Sequence, residues 1–294
     1  MHIGFILRED VTRSGAHLSV FNSKVIEQLV KYSFRVEVLV PEQRLWDLTE
    51  VCPQHDLYIL KSLSPLAVSF AGVMTLAGAT VVNSYRSTLL ACDKIAHFPV
   101  LAARGIPVPA SWATGMPVNL TPLVGNDGAL WIKPPTGEQG LGVRRIDTSA
   151  QMAQLVAPQD AYGLPLGIFA QRDVADNGGD LKLYVVGDQV WGVERSWPAT
   201  TSEEKLGRPF QVSTGLRDIA LACGEALGLE LYGVDVVHNE TGFTVIDVNP
   251  FPGYKGCDGA AAAVAAYLYE VGEKISRNDI CLPSISAQPN RSLI

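Results

Sequence analysis

The chain is 294 residues long, beyond the roughly 250–300 at which one hydrophobic core stops growing, so two or three packed subdomains are expected. Hydrophobic residues make up 47% and charged residues 18%, which excludes a disordered chain, a coiled coil and a collagen-like fibre. With 23 Lys and Arg against 30 Asp and Glu, the net charge of −7 has the wrong sign for gripping nucleic-acid phosphates or anionic lipid, so neither nucleic acid nor a membrane is an expected partner.

The apolar start, Met1 to Leu7, soon meets Arg8, Glu9 and Asp10 and has no basic leader, so it reads as a strand and not as a signal peptide. Short apolar runs then alternate with helical patterns through the first third of the chain, which predicts a parallel sheet covered by crossover helices. Strands are expected over 2–7, 35–40, 57–60 and 80–82, the second stopped by Pro41, which cannot donate to a ladder. Helices are expected over 19–31, 65–76 and 89–104, the last closed by Gly105, Pro107 and Pro109. Residues 62–85 hold no charge over a length that could cross a bilayer, but Pro65, Gly72, Gly78 and Asn83 interrupt the run, and it divides into a helix and a buried strand.

From about Trp112 the pattern becomes strand, loop, strand: 129–133 and 143–147 around a glycine-rich turn, then a helix near 150–156. Strands follow over 168–174, 181–186 and 190–194, the last two joined by a hairpin turn, then a helix over 215–227. Strands over 231–237 and 243–248 make another hairpin, 260–269 reads as a buried helix, and the tail beyond Arg277 is expected to be loosely held. Three parts are drawn: 1–109, 110–180 and 181–294. Five widely spaced cysteines (Cys52, Cys92, Cys223, Cys257, Cys281) without a C-x-x-C pair fit reduced thiols in the cytoplasm. The five histidines (His2, His17, His55, His97, His238) show no ligand spacing and read as structural or surface residues.

Chemistry is concentrated in two places. In the run from Leu130 to Val143 a lysine, Lys133, ends a strand and a loop holding Gly137, Gly140 and Gly142 follows. Glycines let backbone N–H groups turn towards an anion and the lysine adds a mobile charge, so the loop can close on phosphate; an ordinary hairpin tip is the other reading. Downstream, Asp235 lies on one strand of a hairpin and Asp247 and Asn249 on the other. Alternation puts Asp247 and Asn249 on one face, and a tight hairpin can add Asp235. Three oxygen donors at a strand end suit magnesium, whereas solvent-facing positions are the plain alternative, disfavoured because each carboxylate interrupts an apolar run.

Taken in order, Lys133 with its glycine loop, Asp235, Asp247-x-Asn249 and Pro252-Gly253 resemble the ATP-grasp superfamily, in its RimK-type amino-acid ligase variety. Asn83, Cys92-Asp93-Lys94, Gln171, Asp180-Leu181-Lys182 and Glu194-Arg195 extend the resemblance, which runs from about residue 80 to 260. It implies an α/β chain: a small Rossmann-like domain ahead of a two-subdomain α+β ATP-grasp that clamps ATP. Lys94 and Lys133 would meet the nucleotide, and Gly137, Gln139, Gly140 and Gly142 would form the loop over the phosphates. Gln171, Arg172 and Val174 would belong to the adenine hinge, with Asp180 near the ribose and Lys182 in place of a common arginine. Asp235, Asp247 and Asn249 would bind two magnesium ions, Asp247 standing where glutamate is usual. Arg195, Lys205 or Arg208 would steady the transferred phosphate, and Gly253 would help hold a tetrahedral oxyanion.

The resemblance further implies joining of a small-molecule carboxylate to an amine through an acyl phosphate. A small-molecule kinase and a nucleotide-binding protein without catalysis are the rivals, and a homo-oligomer is left open. Arg86 could bind a carboxylate, and Gly15-Ala16-His17, near the end of the first strand, could face substrate.

Overall fold

A computed structural model describes residues 1–8, 18–125, 128–137, 140–157, 159, 163, 166–174, 180–195, 201, 204, 206–239 and 242–277. The chain forms two compact units, Met1–Tyr85 with the helix that begins after Gly259, and Arg86–Asp258.

In the first unit β1 (His2–Ile6), β2 (Arg35–Leu39), β3 (Leu57–Leu60) and β4 (Thr80–Val82) form a parallel sheet in the order β2-β1-β3-β4. Parallel neighbours need crossovers. Helices α1 (Val20–Lys31) and α2 (Pro65–Leu76) lie in the connections. Ser19 caps α1 by accepting from the Asn22 N–H, and Ser64 caps α2 just ahead of Pro65 at the first helical position, where a missing N–H costs nothing. The uncharged run 62–85 thus resolves into α2 and β4, and no helix among the described residues is long and apolar enough to cross a membrane. Ile6, Leu39, Tyr58 and Leu60 from the sheet pack with Ala67, Phe70 and Met74 of α2.

The second unit takes over within the first turn of α3 (Tyr85–Cys92) and continues with α4 (Lys94–Ala103). A single helix over 89–104 was expected; instead Asp93 leaves the helical conformation and its carboxylate accepts from the Ile95 N–H, so it ends one helix and caps the next. Then come β5 (Ser111–Thr114), β6 (Leu130–Lys133), β7 (Arg144–Ile146), α5 (Ser149–Ala153) and β8 (Ile168–Arg172). The four strands form an antiparallel sheet in the order β5-β8-β6-β7. A reciprocal Thr148–Gln151 capping box starts α5.

A five-stranded antiparallel sheet follows, in the order β11-β10-β9-β12-β13, from β9 (Asp180–Val186), β10 (Gln189–Arg195), β11 (Arg208–Phe210), β12 (Leu231–Asn239) and β13 (Gly242–Pro250). Helix α6 (Thr214–Leu227) ends at Gly228, left-handed at φ 68°. Strands β5 and β11 have no counterpart in the sequence reading, because each is short and lacks an apolar alternation of its own. The last helix, α7 (Ala260–Ser276), packs on α1, with Tyr269 stacked on Phe34 at 5.6 Å between ring centroids. It therefore belongs to the unit of the parallel sheet, whereas the three-part division placed it with the third part, and the 109/110 boundary falls inside the second unit.

Gly224 of α6 lies where the ring of Tyr232 crosses the helix; an added Cβ would stand 2.6 Å from the Tyr232 Cε1, and the Tyr232 hydroxyl donates to the Ala220 carbonyl at 2.9 Å. Gly224→Ala would gain about 1 kcal/mol of helix propensity. Overpacking costs about 1–3 kcal/mol, and a displaced, unpaired hydroxyl a further 1–3 or so. The loss wins: a net destabilisation of about 2 kcal/mol is expected, measured as a lower urea midpoint at unchanged slope.

Candidate functional site

Strand side chains alternate, so each sheet of the second unit has two unlike faces. In the five-stranded sheet Leu183, Val185, Val234, Val236 and Val248 pack against Leu216, Ala220, Cys223 and Leu227 of α6. The other face carries Asp180 and Lys182 from β9, Arg195 from β10, Asp235 from β12 and Asp247 and Asn249 from β13. Register brings them level: Asp235 lies opposite both Lys182 and Asp247, Arg195 opposite Asp180, and Asn249 opposite Gly233.

One irregularity makes this possible. Val245 pairs with Val236 and Asp247 with Asp235, so Ile246 is an extra residue on β13, a β-bulge. Without it Val245 and Asp247, two apart, would share a face. The bulge lets the valine enter the core and the aspartate the site, and the Ile246 carbonyl accepts from Lys133 Nζ at 3.2 Å.

Asp235 is the hub of the charged face. Lys182 Nζ donates to it at 2.7 Å, Arg195 Nη2 at 3.1 Å and Asn249 Nδ2 at 3.1 Å, while Arg195 also holds Asp180. Gly233 keeps the lane open, since a Cβ there would stand 3.0 Å from Lys182 Cε.

The four-stranded sheet supplies the opposing groups. Its apolar face (Leu130, Ile132, Ile168, Ala170) meets Leu120 and Met152, and its other face carries Lys133 and the buried Gln171. Lys133 Nζ donates to Gln171 Oε1 at 2.7 Å. Lys94, the first residue of α4, is buried; its N–H donates to the Pro135 carbonyl at 2.9 Å and its ammonium lies 3.5 Å from the Gly137 carbonyl and 3.6 Å from Asp247 Oδ1. In the glycine loop Gly140 (φ 71°) and Gly142 (φ 76°) are left-handed, and a Cβ on Gly142 would meet Pro134 Cγ at 2.9 Å. Gln139 lies outside the described residues.

Burial, with Asp235 adding to it, pushes the Asp180 carboxyl up to about 6 against the pull of Arg195 and Lys182. Burial also pulls the Lys133 ammonium below its ordinary value, which the Asp247 carboxylate only partly offsets. At Asp247 burial works upward, but the charges of Lys94, Lys133, His97 and Lys182 together outweigh it and hold the carboxyl below its usual value. Asp180 Oδ1, Asp247 Oδ1, Gln171 Nε2 and Arg195 Nε are buried without a hydrogen-bond partner among the described residues. Acceptors and donors left over together on these faces, with an all-oxygen set at Asp235, Asp247 and Asn249, fit a ligand that is both anionic and metal-bound.

Other expected residues lie elsewhere or point elsewhere. Arg172 donates to the Leu123 carbonyl at 2.9 Å and the Gly128 carbonyl at 3.2 Å, and its guanidinium lies 5.2 Å from the Trp112 ring centre, so its side chain braces loops of the small sheet. Asp173 takes Trp131 Nε1 at 2.7 Å and the Arg145 guanidinium, and Val174 follows, partly buried. Arg208 is exposed and pairs with Glu194, whose neighbour Arg195 points to the charged face; alternation sets Arg208 on the opposite one. Of the three candidate cations Arg195 stands among the carboxylates, and Lys205 lies outside the described residues. Apart from its chain neighbours, Gly253 has no heavy atom of the described residues within 4 Å of where a Cβ would stand, in a turn whose Phe251 (φ 34°) and Tyr254 (φ 46°) are left-handed. Hydrogen bonds of 2.7 Å from Phe251 N to the Leu231 carbonyl and from the Tyr254 hydroxyl to the Val185 carbonyl hold that turn. Arg86 is exposed, and Gly15, Ala16 and His17 lie outside the described residues.

His97, expected to be structural or surface, is fully buried three residues after Lys94 on the same helix, and its charge would be felt by Asp247. Its Nδ1–H donates to the Ala91 carbonyl at 3.0 Å, leaving Nε2 buried without a hydrogen-bond partner among the described residues. Three-residue spacing from a lysine at a helix start was the available signal.

Removing the Asp235 charge strands two cations. Asp235→Asn is expected to lower the unfolding free energy of the ligand-free protein by about 3 kcal/mol. Lys182→Met in the same chain should recover part of that loss, giving a favourable coupling in a double-mutant cycle followed by denaturant unfolding. Strict additivity would show that the pair carries no shared energy.

A family model described as the RimK-like ATP-grasp domain matches residues 91–268. A probable alpha-L-glutamate ligase of Shewanella loihica is 28% identical over 238 residues, 76% of this chain and 78% of that protein. The crystal structure of a RimK domain ATP-grasp protein from Sphaerobacter thermophilus superposes with a TM-score of 0.72 at 16% identity, covering 92% of this chain and 98% of that one. D-alanine–D-alanine ligase from Bacillus anthracis does so with a TM-score of 0.66 at 16% identity, covering 95% and 98%. The fold is that of the ATP-grasp proteins, and the chain belongs to the RimK-like ATP-grasp family.

Proposed function

We propose that this protein is an ATP-dependent carboxylate–amine ligase: an amino-acid or peptide-like carboxylate becomes an acyl phosphate, an amine displaces the phosphate to form a C–N bond, and ADP and phosphate are released. The observation that carries this reading is the opposition of oxygen donors on one sheet (Asp235, Asp247, Asn249) to Lys133 and Lys94 across from them. Asp235, Asp247 and Asn249 would hold two magnesium ions, which neutralise charge on the triphosphate when bound. Lys94 and Lys133 would grip the nucleotide, with Gly137, Gln139, Gly140 and Gly142 covering its phosphates and excluding water.

Gln171, whose Nε2 has no hydrogen-bond partner among the described residues, and the main chain through Val174 would read the base, and Asp180 would lie near the ribose. The catalytic halves in this reading are 110–180 and the large sheet from 181. Arg195, set among the carboxylates, is the cation best placed to steady the transferred phosphate, and Gly253 offers open backbone to an oxyanion. Positioning and charge do the chemistry, with no covalent nucleophile. The free thiols of Cys52, Cys223 and Cys257 accord with a reducing, cytoplasmic setting. The name of the Shewanella relative puts glutamate first among amino acids to try as substrate.

With an amino-acid panel and Mg²⁺-ATP, the active pair should give ADP and phosphate in equal amounts, and hydroxylamine in place of the amine should yield a hydroxamate. Asp247→Asn should lower ADP release about 100-fold or more while leaving the folded circular-dichroism spectrum intact. A phosphorylated alcohol stable to hydroxylamine, or release of AMP and pyrophosphate, would overturn the reading.

A further inference from the structure

A second cluster of ligating atoms lies in the first unit, on the parallel sheet. His2 begins β1, Glu37 stands in the middle of β2 and His55 comes just ahead of β3. Glu37 Oε2 is 3.1 Å from His55 Nε2 and 3.8 Å from His2 Nε2, the two imidazole centroids are 4.2 Å apart, and one ligating atom from each residue falls within 4.8 Å of the others. From these we infer that His2, Glu37 and His55 form a zinc site, separate from the charged face of the second unit.

The distances suit a metal. Zinc–nitrogen and zinc–oxygen bonds near 2.0–2.1 Å put neighbouring ligand atoms of a tetrahedron about 3.3 Å apart. The observed 3.1 and 3.8 Å lie on either side of that value. The imidazole of His55 is 5% exposed, and His2 Nε2 is buried with no hydrogen bond among the described residues, held beside a carboxylate that it does not reach. Two imidazoles and one carboxylate favour a borderline cation such as Zn²⁺ over Mg²⁺ or Ca²⁺, which prefer oxygen alone.

The surroundings hold each ligand in place, as metal sites require. Asp56 Oδ2 accepts from the His2 backbone N–H at 2.7 Å and fixes the start of β1. Arg44 Nη2 donates to Glu37 Oε1 at 2.8 Å, which orients the carboxylate and leaves Oε2 facing the histidines. His55 Nδ1 lies 3.3 Å from the Tyr58 hydroxyl. That hydroxyl can donate or accept, so it can stabilise the tautomer that frees Nε2 for a metal. Gly4 makes room for this arrangement, since a Cβ there would stand 2.9 Å from Tyr58 Cδ1. With three protein ligands the fourth position falls to water or a small anion. The ion would tie β1, β2 and the segment leading into β3 to one another.

Metal-stripped protein titrated with Co²⁺ in excess Mg²⁺, which fills sites built of oxygen alone, tests this. One equivalent of Co²⁺ should give the visible absorption of a nitrogen-ligated ion, bleached by Zn²⁺, and Zn²⁺ should raise the melting temperature. His2→Ala, Glu37→Gln and His55→Ala should each weaken Zn²⁺ binding about 100-fold or more, and Asp247→Asn should leave it unchanged. His2→Ala, at the start of a strand, guards against loss of folding, checked by circular dichroism. Absent bands in the wild type, or bands that survive both histidine substitutions, would overturn the assignment.

Discussion

Taking a carboxylate out of water costs several kcal/mol unless cations and donors meet it, and Asp235 sits in the middle of the large sheet with Lys182, Arg195 and Asn249 all on its two oxygens. The arrangement depends on register. A slip of one residue on β12 would send Asp235 into the cluster of Val234, Val236 and Leu183, and those valines towards Lys182. The apolar core under α6 and the charged face are thus two readings of one alternation: whatever fixes the core also fixes the site. The bulge at Ile246 is the local exception, and it turns a backbone carbonyl towards Lys133 of the other sheet.

Much of this was legible because it is periodic. The alternation around Asp235 and Asp247, the glycine run after Lys133 and the βα pattern of the first unit are local signals that survive without tertiary context. What could not be read was decided by distant partners. Asp93 breaks a helical run through its own side chain, while Arg172 is drawn to the Leu123 and Gly128 carbonyls, which are remote in sequence. Arg208 is assigned to a face only by pairing with Glu194, and the helix after Gly259 joins the first unit by packing on α1. His2 and His55 carry no ligand spacing because parallel pairing, not sequence separation, brings them together with Glu37.

Nucleophilic catalysis would need an activated side chain beside the charged face, and Cys223 and Cys257 do not supply one. Burial pushes the Cys223 thiol up to about 12 among leucines and valines, and burial together with Asp258 raises Cys257 to about 12 as well, so both stay protonated at neutral pH. The groups that do converge are fixed charges. Of these, Lys94 links the two sheets: its backbone N–H holds the Pro135 carbonyl, and its ammonium stands between the Gly137 carbonyl and Asp247. One lysine at the start of α4 therefore touches the glycine loop of the small sheet and the acid set of the large one. A change of charge at Asp247 must alter the hold of Lys94 on the loop, because the same ammonium serves both. That contact joins the start of the glycine loop to the acid set, which suits a reaction whose intermediate has to be kept from water.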